Sequence, residues 1–177
     1  MCNIITNIRK LIVIISHPSL WRALSHGIAA TVEHDKALKT FTFATVIDVG
    51  SNKGQFAAYA KWRWKKAQLI CFEPLQEARK NLLKITNSLD QIYDYALGEN
   101  LGELSMHIAS RDDSSSLLPL AQRQKDIFNL NEIAIKKVQV KRLDECISKD
   151  IDRPCLLKID VQGYELEVLK GTSSLLP

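Results

Sequence analysis

The chain has 177 residues, of which 46% are hydrophobic and 25% charged, and its formal net charge is +4. These totals fit one soluble globular domain with its own core, and the charge is too small to indicate nucleic-acid binding by itself. The four cysteines form no C-x-x-C pair and the four histidines no H-E-x-x-H. We therefore expect no metal site, no disulfide framework and a reducing, cytoplasmic location.

The N-terminus contains a short apolar run, Leu11–Ile15, directly after Arg9 and Lys10. A membrane-spanning helix needs about 20 apolar residues, and a signal peptide needs roughly 7–15 followed by small residues. The run therefore predicts no stable membrane span. We expect an amphipathic or buried segment, and loose contact with a membrane surface is the alternative.

Residues 1–40 are predicted to form a helical extension before the main domain. Trp21, Leu24 and Ile28 are spaced by three and four positions, which is typical of one face of a helix. Gly27 interrupts this pattern and is expected to divide the stretch into two helices.

Short buried strands then alternate with helices. The strands are predicted at Thr45–Gly50, Leu69–Glu73, Gln91–Ala96 and Cys155–Val161. Phe56, Ala60 and Trp64 mark one face of the first helix, and Pro74 stands at the favoured first position of the second. This alternation predicts an α/β fold with a mostly parallel sheet flanked by helices. Right-handed crossovers then make it a doubly wound half-sheet.

Two further segments, Leu104–Ile108 and Val138–Lys141, alternate apolar and polar residues. Such alternation predicts strands with one exposed face. After the fourth buried strand, Glu165–Leu169 begins a helix that Gly171 can end.

The first strand leads into a glycine turn between Asp48 and Gly54. Backbone amides in such a turn, and the helix N-terminus after it, can approach a carboxylate or phosphate closely. Glu73 ends the second strand, where a carboxylate can accept both hydroxyls of a ribose. Together they indicate a nucleoside-containing cofactor. The glycine after Gly50 is Gly54, so the dinucleotide fingerprint G-x-G-x-x-G is not matched. The arrangement D-x-G-x-x-x-G, followed by an acidic residue after the second strand, instead resembles the pattern of Rossmann-like methyltransferases. A turn without ligand is the alternative.

The segment Lys61–Lys66 interleaves cations with tryptophans, as nucleic-acid surfaces do. It also falls at the predicted C-terminus of a helix, where cations complement the helix dipole. Trp64 continues the apolar face of that helix. We favour this structural interpretation and expect no nucleic-acid partner.

Several segments in order, from about residue 45 to 171, resemble the FkbM family of methyltransferases. They are Val46–Gly54, Phe72–Pro74, Ala96–Gly98 with Gly102, Ser115–Leu117, Leu143–Asp144 and Leu157–Glu165. The most distinctive is K-I-D-V-[EQ]-G-x-E, in which Gln162 stands where many members have Glu. The resemblance implies a Rossmann-like class I methyltransferase fold that transfers a methyl group from S-adenosylmethionine. The acceptor would be a hydroxyl of a sugar, glycan or other small natural product.

The resemblance also implies a set of cofactor-binding residues. They are Asp48, Gly50, Ser51, Asn52, Gly54, Glu73, Pro74, Ala96, Leu97 and Ser116. Residues 50–54 would hold the amino-acid end of the cofactor, Glu73 its ribose, and Ala96 and Leu97 its adenine. For Ser116 and its neighbours, a polar turn with capping hydroxyls is an equal alternative.

Asp160 would lie near the acceptor hydroxyl, because ligands bind outside the carboxyl ends of such strands. It would act as general base or as an orienting acceptor, and Glu165 is the second catalytic candidate. His107 is a third, although an exposed position on a strand is the simpler interpretation for it.

The domain predicted at residues 41–177 lacks the last strands of the family fold and is therefore expected to be incomplete at its C-terminus. The fourth strand would then be a sheet edge, through which copies of the chain could associate. A cofactor-binding or interaction module without turnover is thus the main alternative function. A nicotinamide-dependent oxidoreductase and a nucleic-acid methyltransferase fit the motifs less well.

Overall fold

The computed structural model describes residues 11–111, 114–119, 130–148 and 150–175. The helices are α1, described over 11–16, α2 at Pro18–Ser25, α3 at Asp35–Leu38, α4 at Gln55–Arg63, α5 at Gln76–Ile85, α6 at Leu143–Cys146 and α7 at Glu165–Lys170, with a 3-10 turn at Val32–His34. The strands are β1 at Thr45–Val49, β2 at Gln68–Phe72, β3 at Gln91–Tyr93, β4 at Ala96–Leu97, β5 at Gly102–Ala109, β6 at Glu132–Lys141 and β7 at Cys155–Ile159.

The main sheet has four strands in the order β3-β2-β1-β7, and every neighbouring pair is parallel. The predicted α/β fold is therefore confirmed, with the fourth buried strand directly beside the first. Within the described residues β7 forms one edge of this sheet. Register places Asp48 of β1 opposite Cys71 of β2 and Lys158 of β7.

Apolar side chains pack on both faces of the sheet. On one face Val46 and Leu69 contact the cluster formed by α2, α4 and α5. On the other face Ile47 and Ile70 pack with residues of α6 and α7. Successive residues of a strand point to opposite faces, so strands covered on both sides need the continuous apolar runs seen in the sequence.

The prediction of a single third strand over Gln91–Ala96 was wrong. Pairing of β3 with β2 ends at Tyr93, whose ring stacks on that of Phe72 with the centroids 4.9 Å apart. Ala96 and Leu97 then pair in parallel with the end of β6 in a second sheet of order β4-β6-β5. Strand β6 also begins at Glu132, six residues before the alternation from Val138 predicts it.

The predicted apolar face of the N-terminal helix was also wrong. Helix α2 buries Leu20 and Ala23 against the core, while Trp21 and Leu24 are exposed. The break at Gly27 is confirmed, since this residue adopts a φ of +72° after the helix ends. No helix in the described ranges is long and apolar enough to cross a membrane.

Helix α5 begins two residues later than the proline predicts. Leu75 is extended, with φ −80° and ψ 117°, and precedes the first helical residue, Gln76. The Leu75 N–H donates to Glu73 Oε1 at 2.8 Å. This contact holds residues 73–75 in a turn, so Pro74 lies outside the helix.

Two neighbouring leucines on α5 test how the helix packs. Leu82 is completely buried, whereas Leu83 is 56% exposed. We expect Leu82→Ala to lower the free energy of unfolding by about 2–5 kcal/mol, because it leaves a cavity. Leu83→Ala should change it by less than about 0.5 kcal/mol. Urea denaturation followed by circular dichroism measures both, and equal effects would contradict the assigned face.

Candidate functional site

A cavity of about 410 Å³ opens at the carboxyl ends of β1, β2 and β7. The predicted site residues on its walls are Gly50, Ser51, Asn52, Glu73, Pro74, Ala96, Leu97 and Asp160. The predicted residues Asp48, Gly54, Ser116 and Glu165 do not line it and lie behind the wall. The cavity thus brings together most of the positions that the sequence motifs indicate.

Gly50 allows the ends of β1 and β7 to meet. Its φ is +73°, and a Cβ added there would lie 2.1 Å from the carbonyl oxygen of Asp160. The Asp160 N–H donates to Val49 O at 3.0 Å. Any side chain at position 50 would therefore push apart the two strand ends that form the cavity floor.

The amides of the glycine turn bind mainly within the protein. Those of Gly50 and Ser51 both donate to Phe72 O at 3.1 Å, and that of Gly54 donates to Ser51 O. The Asn52 N–H donates to Glu73 Oε2 at 2.8 Å. The geometry therefore does not favour the expected binding of an anion by these amides, because their hydrogen bonds are made within the turn and to the end of β2.

Glu73 is a buried carboxylate on the cavity wall, with 5% of its surface exposed. Burial raises the pKa of Glu73 above its ordinary value, although the amides of Leu75 and Asn52 partly oppose this shift. Each carboxylate oxygen accepts one of these two N–H groups. A carboxylate oxygen has a second lone pair, so the group can still accept hydrogen bonds from a ligand.

Lys158 is a cavity residue that sequence reasoning missed. Its Nζ lies 2.9 Å from Oδ1 of the fully buried Asp48 and 3.0 Å from Gly50 O. The Lys158 ammonium donates its hydrogen bond to Gly50 O. The negative charge of Asp48 is therefore balanced by the nearby positive charge of Lys158 and not by an aligned hydrogen bond. The sequence signal that could have identified Lys158 is the pair of motifs D-x-G and K-x-D. Their first residues, Asp48 and Lys158, become neighbours when β1 and β7 pair in register.

The two predicted catalytic carboxylates occupy different places. Asp160 faces the cavity, and its Oδ1 accepts a hydrogen bond from Gln162 Nε2 at 2.8 Å. Glu165 Oε1 instead accepts the N–H groups of Val161 and Gly163 at 3.3 and 3.0 Å. Burial would raise the pKa of Glu165, but these amides outweigh it and hold that pKa below the ordinary value.

Ser116 holds the same loop from the other side. Its Oγ donates to Gln162 O at 2.9 Å and accepts the Leu118 N–H at 3.1 Å. Its neighbour Ser115 lines the cavity directly. His107 lies away from the cavity wall, with Nδ1 2.6 Å from Glu132 Oε2 on the β5–β6 ribbon. Its side chain is only 14% exposed, so the expectation of an exposed strand position was wrong.

The N-terminal segment contributes a wall that the sequence did not indicate. Ala29, Thr31 and His34 line the cavity, and the Thr31 N–H donates to Gln55 O at 3.2 Å. The His34 ring lies edge-on to Phe56, with centroids 5.3 Å apart. Residues before β1 are therefore part of the site, not only an appendage to it.

The comparisons with known proteins agree with this architecture. Residues 48–176 match the family model described as the methyltransferase FkbM domain. The 2-O-methyltransferase NoeI of Sinorhizobium fredii is 27% identical, covering 71% of this chain and 56% of its own length. The hexuronic acid methyltransferase AglP of Haloferax volcanii is 31% identical, covering 73% of this chain and 50% of its own length.

A crystal structure of methyltransferase FkbM from Methylobacillus flagellatus KT has a similar fold, with a TM-score of 0.52 at 18% identity. The match covers 98% of this chain and 46% of that one. The chain spans about half the length of the curated methyltransferases that it matches.

Two glycines with nearly equal φ test the close approach of β1 and β7. Gly27 has nothing within 4 Å of an added Cβ, whereas Gly50 faces the Asp160 carbonyl. We expect Gly27→Ala to cost about 1–2 kcal/mol from backbone strain alone. Gly50→Ala should lower the free energy of unfolding by clearly more in urea denaturation. Equal losses would mean that the two strand ends do not meet as described.

Proposed function

The chain belongs to the FkbM methyltransferase family, and on that basis we propose that it transfers a methyl group from S-adenosylmethionine to a hydroxyl of a sugar, glycan or related small molecule. One observation carries the proposal. The glycine turn, the buried carboxylate of Glu73 and the half-exposed carboxylate of Asp160 converge on one cavity at the carboxyl ends of the strands, where ligands of α/β sheets bind.

The cavity has the size and lining that this cofactor requires. Its volume of about 410 Å³ lies within the roughly 300–1,000 Å³ of small-molecule sites. The second lone pairs of the Glu73 carboxylate are suited to the two ribose hydroxyls. The apolar wall that Phe72, Ala96 and Leu97 form is suited to the adenine.

The carboxylate of the cofactor would bind to side chains, because the amides of the glycine turn are used within the protein. Lys158 is the cation on the cavity wall beside this turn. It shares its charge with the buried Asp48. We assign Asp48 to positioning Lys158 and the turn, without direct contact with the ligand.

S-adenosylmethionine, when bound, supplies an electrophilic methyl group next to a sulfonium. Asp160 would accept or orient the proton of the acceptor hydroxyl, and general-base assistance of this kind typically contributes about 10²–10⁴-fold. Gln162 binds Oδ1 of Asp160, and Oδ2, which lies 4.0 Å from Lys158 Nζ, is the oxygen that would accept the hydroxyl proton. Glu165 and Ser116 would position the loop that carries these residues.

Two relatives support a sugar as the acceptor, since one is named a 2-O-methyltransferase and the other a hexuronic acid methyltransferase. The free thiols of Cys71, Cys146 and Cys155 support a reducing, cytoplasmic setting for the reaction.

The alternative function is a cofactor-binding module without turnover, because the chain spans only about half the length of its relatives. Cofactor binding without methyl transfer to any sugar acceptor would favour that alternative.

Glu73 provides the test of cofactor binding. We expect S-adenosylhomocysteine to bind in calorimetry, and Glu73→Gln to weaken it about tenfold to a hundredfold, as for hydrogen bonds to a charged group. The matched control is Glu77→Gln on the exposed side of α5, which should leave the affinity unchanged. Unaltered binding by Glu73→Gln would remove Glu73 from the site.

The pH dependence of that binding follows from the raised pKa of Glu73. The ionised carboxylate accepts the ribose hydroxyls, so affinity should be full above this pKa and fall as the pH decreases through it. The loss should begin above the ordinary Glu value of about 4.3 and be accompanied by proton release on binding. In Glu73→Gln this part of the pH profile should be absent.

Asp160 provides the test of chemistry. With a sugar that the wild-type chain methylates, Asp160→Asn should lower kcat by about 10²–10⁴-fold if the carboxylate takes the proton. The affinity for S-adenosylhomocysteine should change little. Asp152→Asn, an exposed aspartate beyond the opposite end of β7, is the control. A fall in kcat below about tenfold would limit Asp160 to orienting the acceptor.

A further inference from the structure

Helices α1 and α2 carry an apolar surface that no described residue covers. Five large side chains on them are 41–58% exposed: Leu11, Ile12, Ile15, Trp21 and Leu24. The opposite sides of the same helices bury Ile14, Leu20 and Ala23 in the core. The helices are therefore firmly packed, and their outer face is apolar as well. We call the five exposed side chains the N-terminal patch.

The N-terminal patch is continuous across the two helices. The indole N–H of Trp21 in α2 donates to the carbonyl oxygen of Ile15 in α1 at 3.0 Å. This bond places the Trp21 ring beside the last turn of α1. It also satisfies the polar atom of the indole, so the ring can enter an apolar environment at no hydrogen-bonding cost.

The sequence segment that carries the N-terminal patch is basic. Residues 1–32 contain Arg9, Lys10 and Arg22 but neither aspartate nor glutamate, so they carry +3 of the net +4 of the chain. Arg22 lies on α2 next to Trp21 and is exposed. An apolar helical face with a tryptophan and flanking cations is typical of segments that lie in a membrane interface.

A second group of cations adjoins this segment. The His17 ring, between α1 and α2, lies 5.0 Å from the Trp62 ring. Trp62 lines a shallow groove together with Lys65, Lys66 and Phe41. Both lysines are exposed, and within the described ranges neither forms an ion pair. Lys61 and Arg63 are paired with Asp90 and Asp35, so Lys65 and Lys66 are the cations of this segment that extend the basic surface next to the N-terminal patch.

We propose that the N-terminal patch binds the surface of an anionic lipid bilayer, with its apolar side chains in the interface and the cations of the same region on the lipid headgroups. In the described ranges no helix is long and apolar enough to cross a membrane, so we place both helices along the bilayer surface. A second copy of the chain is a poorer occupant, because two patches of the same positive charge would repel each other. This attachment is independent of the proposed methyl transfer.

The test is cosedimentation of the full chain with vesicles of phosphatidylcholine alone and with vesicles that also contain phosphatidylglycerol. We expect binding to the anionic vesicles about tenfold or more above that to neutral ones, and weaker binding as salt rises. Ile12→Ser/Ile15→Ser should lower the binding by about tenfold or more. Arg22→Glu should lower it about fivefold or more, since a cation is both lost and reversed.

The matched control is Ile133→Ser/Ile135→Ser on β6, where the two isoleucines are 64% and 56% exposed, against 58% and 56% for Ile12 and Ile15. This pair should leave vesicle binding unchanged. All variants should keep the wild-type urea transition, which separates lost binding from lost folding. Trp emission should shift to shorter wavelength with anionic vesicles, and the shift should be smaller in Trp21→Phe.

Three results would overturn the proposal. The first is no binding to either type of vesicle by the folded wild-type chain. The second is an equal loss of binding in the β6 control, which would mean that any exposed isoleucine pair contributes. The third is a dimer in analytical ultracentrifugation that disappears in Ile12→Ser/Ile15→Ser while vesicles remain unbound, which would assign the patch to a second copy.

Discussion

The site depends on a buried charge at the end of the first strand. Asp48 is completely buried, and Lys158 reaches it from the neighbouring strand at 2.9 Å. Removing one partner of such a pair typically costs about 3–5 kcal/mol, so β1 and β7 are bound to remain in this register. The same ammonium binds Gly50 O, and the glycine permits the contact between the strand ends. Charge compensation and steric fit thus act at one point.

The rest of the cavity wall consists of backbone and side-chain groups that are hydrogen-bonded to one another. The glycine turn gives its amides to Phe72 O and Glu73, while Glu165 and Ser116 fix the loop after β7 from two sides. Few of these groups need to move to accept a ligand, because most of their hydrogen bonds are already made. Such preorganisation lowers the cost of binding and leaves Asp160 as the half-exposed acidic group at the centre.

The segment before β1 takes part in two different surfaces. Thr31 and His34 close one side of the cavity, and the helices just before them present the N-terminal patch to solvent. Because both features belong to one continuous stretch of chain packed on α4, attachment of the patch to a surface would set the orientation of the cavity relative to it.

Local patterns in the sequence determined the parallel sheet, the glycine turn and Glu73 at a strand end, since strand periodicity and turn residues act over a few positions and right-handed crossovers order the strands. Only the tertiary structure decided which face of α2 is buried, where Ala96 finds its strand partner and that Lys158 meets Asp48. The tertiary structure also decided that Glu165 accepts hydrogen bonds from the loop after β7 and that amides of the glycine turn donate to the end of β2. These outcomes depend on register and packing between segments far apart in the chain, and residue spacing alone carries no information about which distant group will lie opposite.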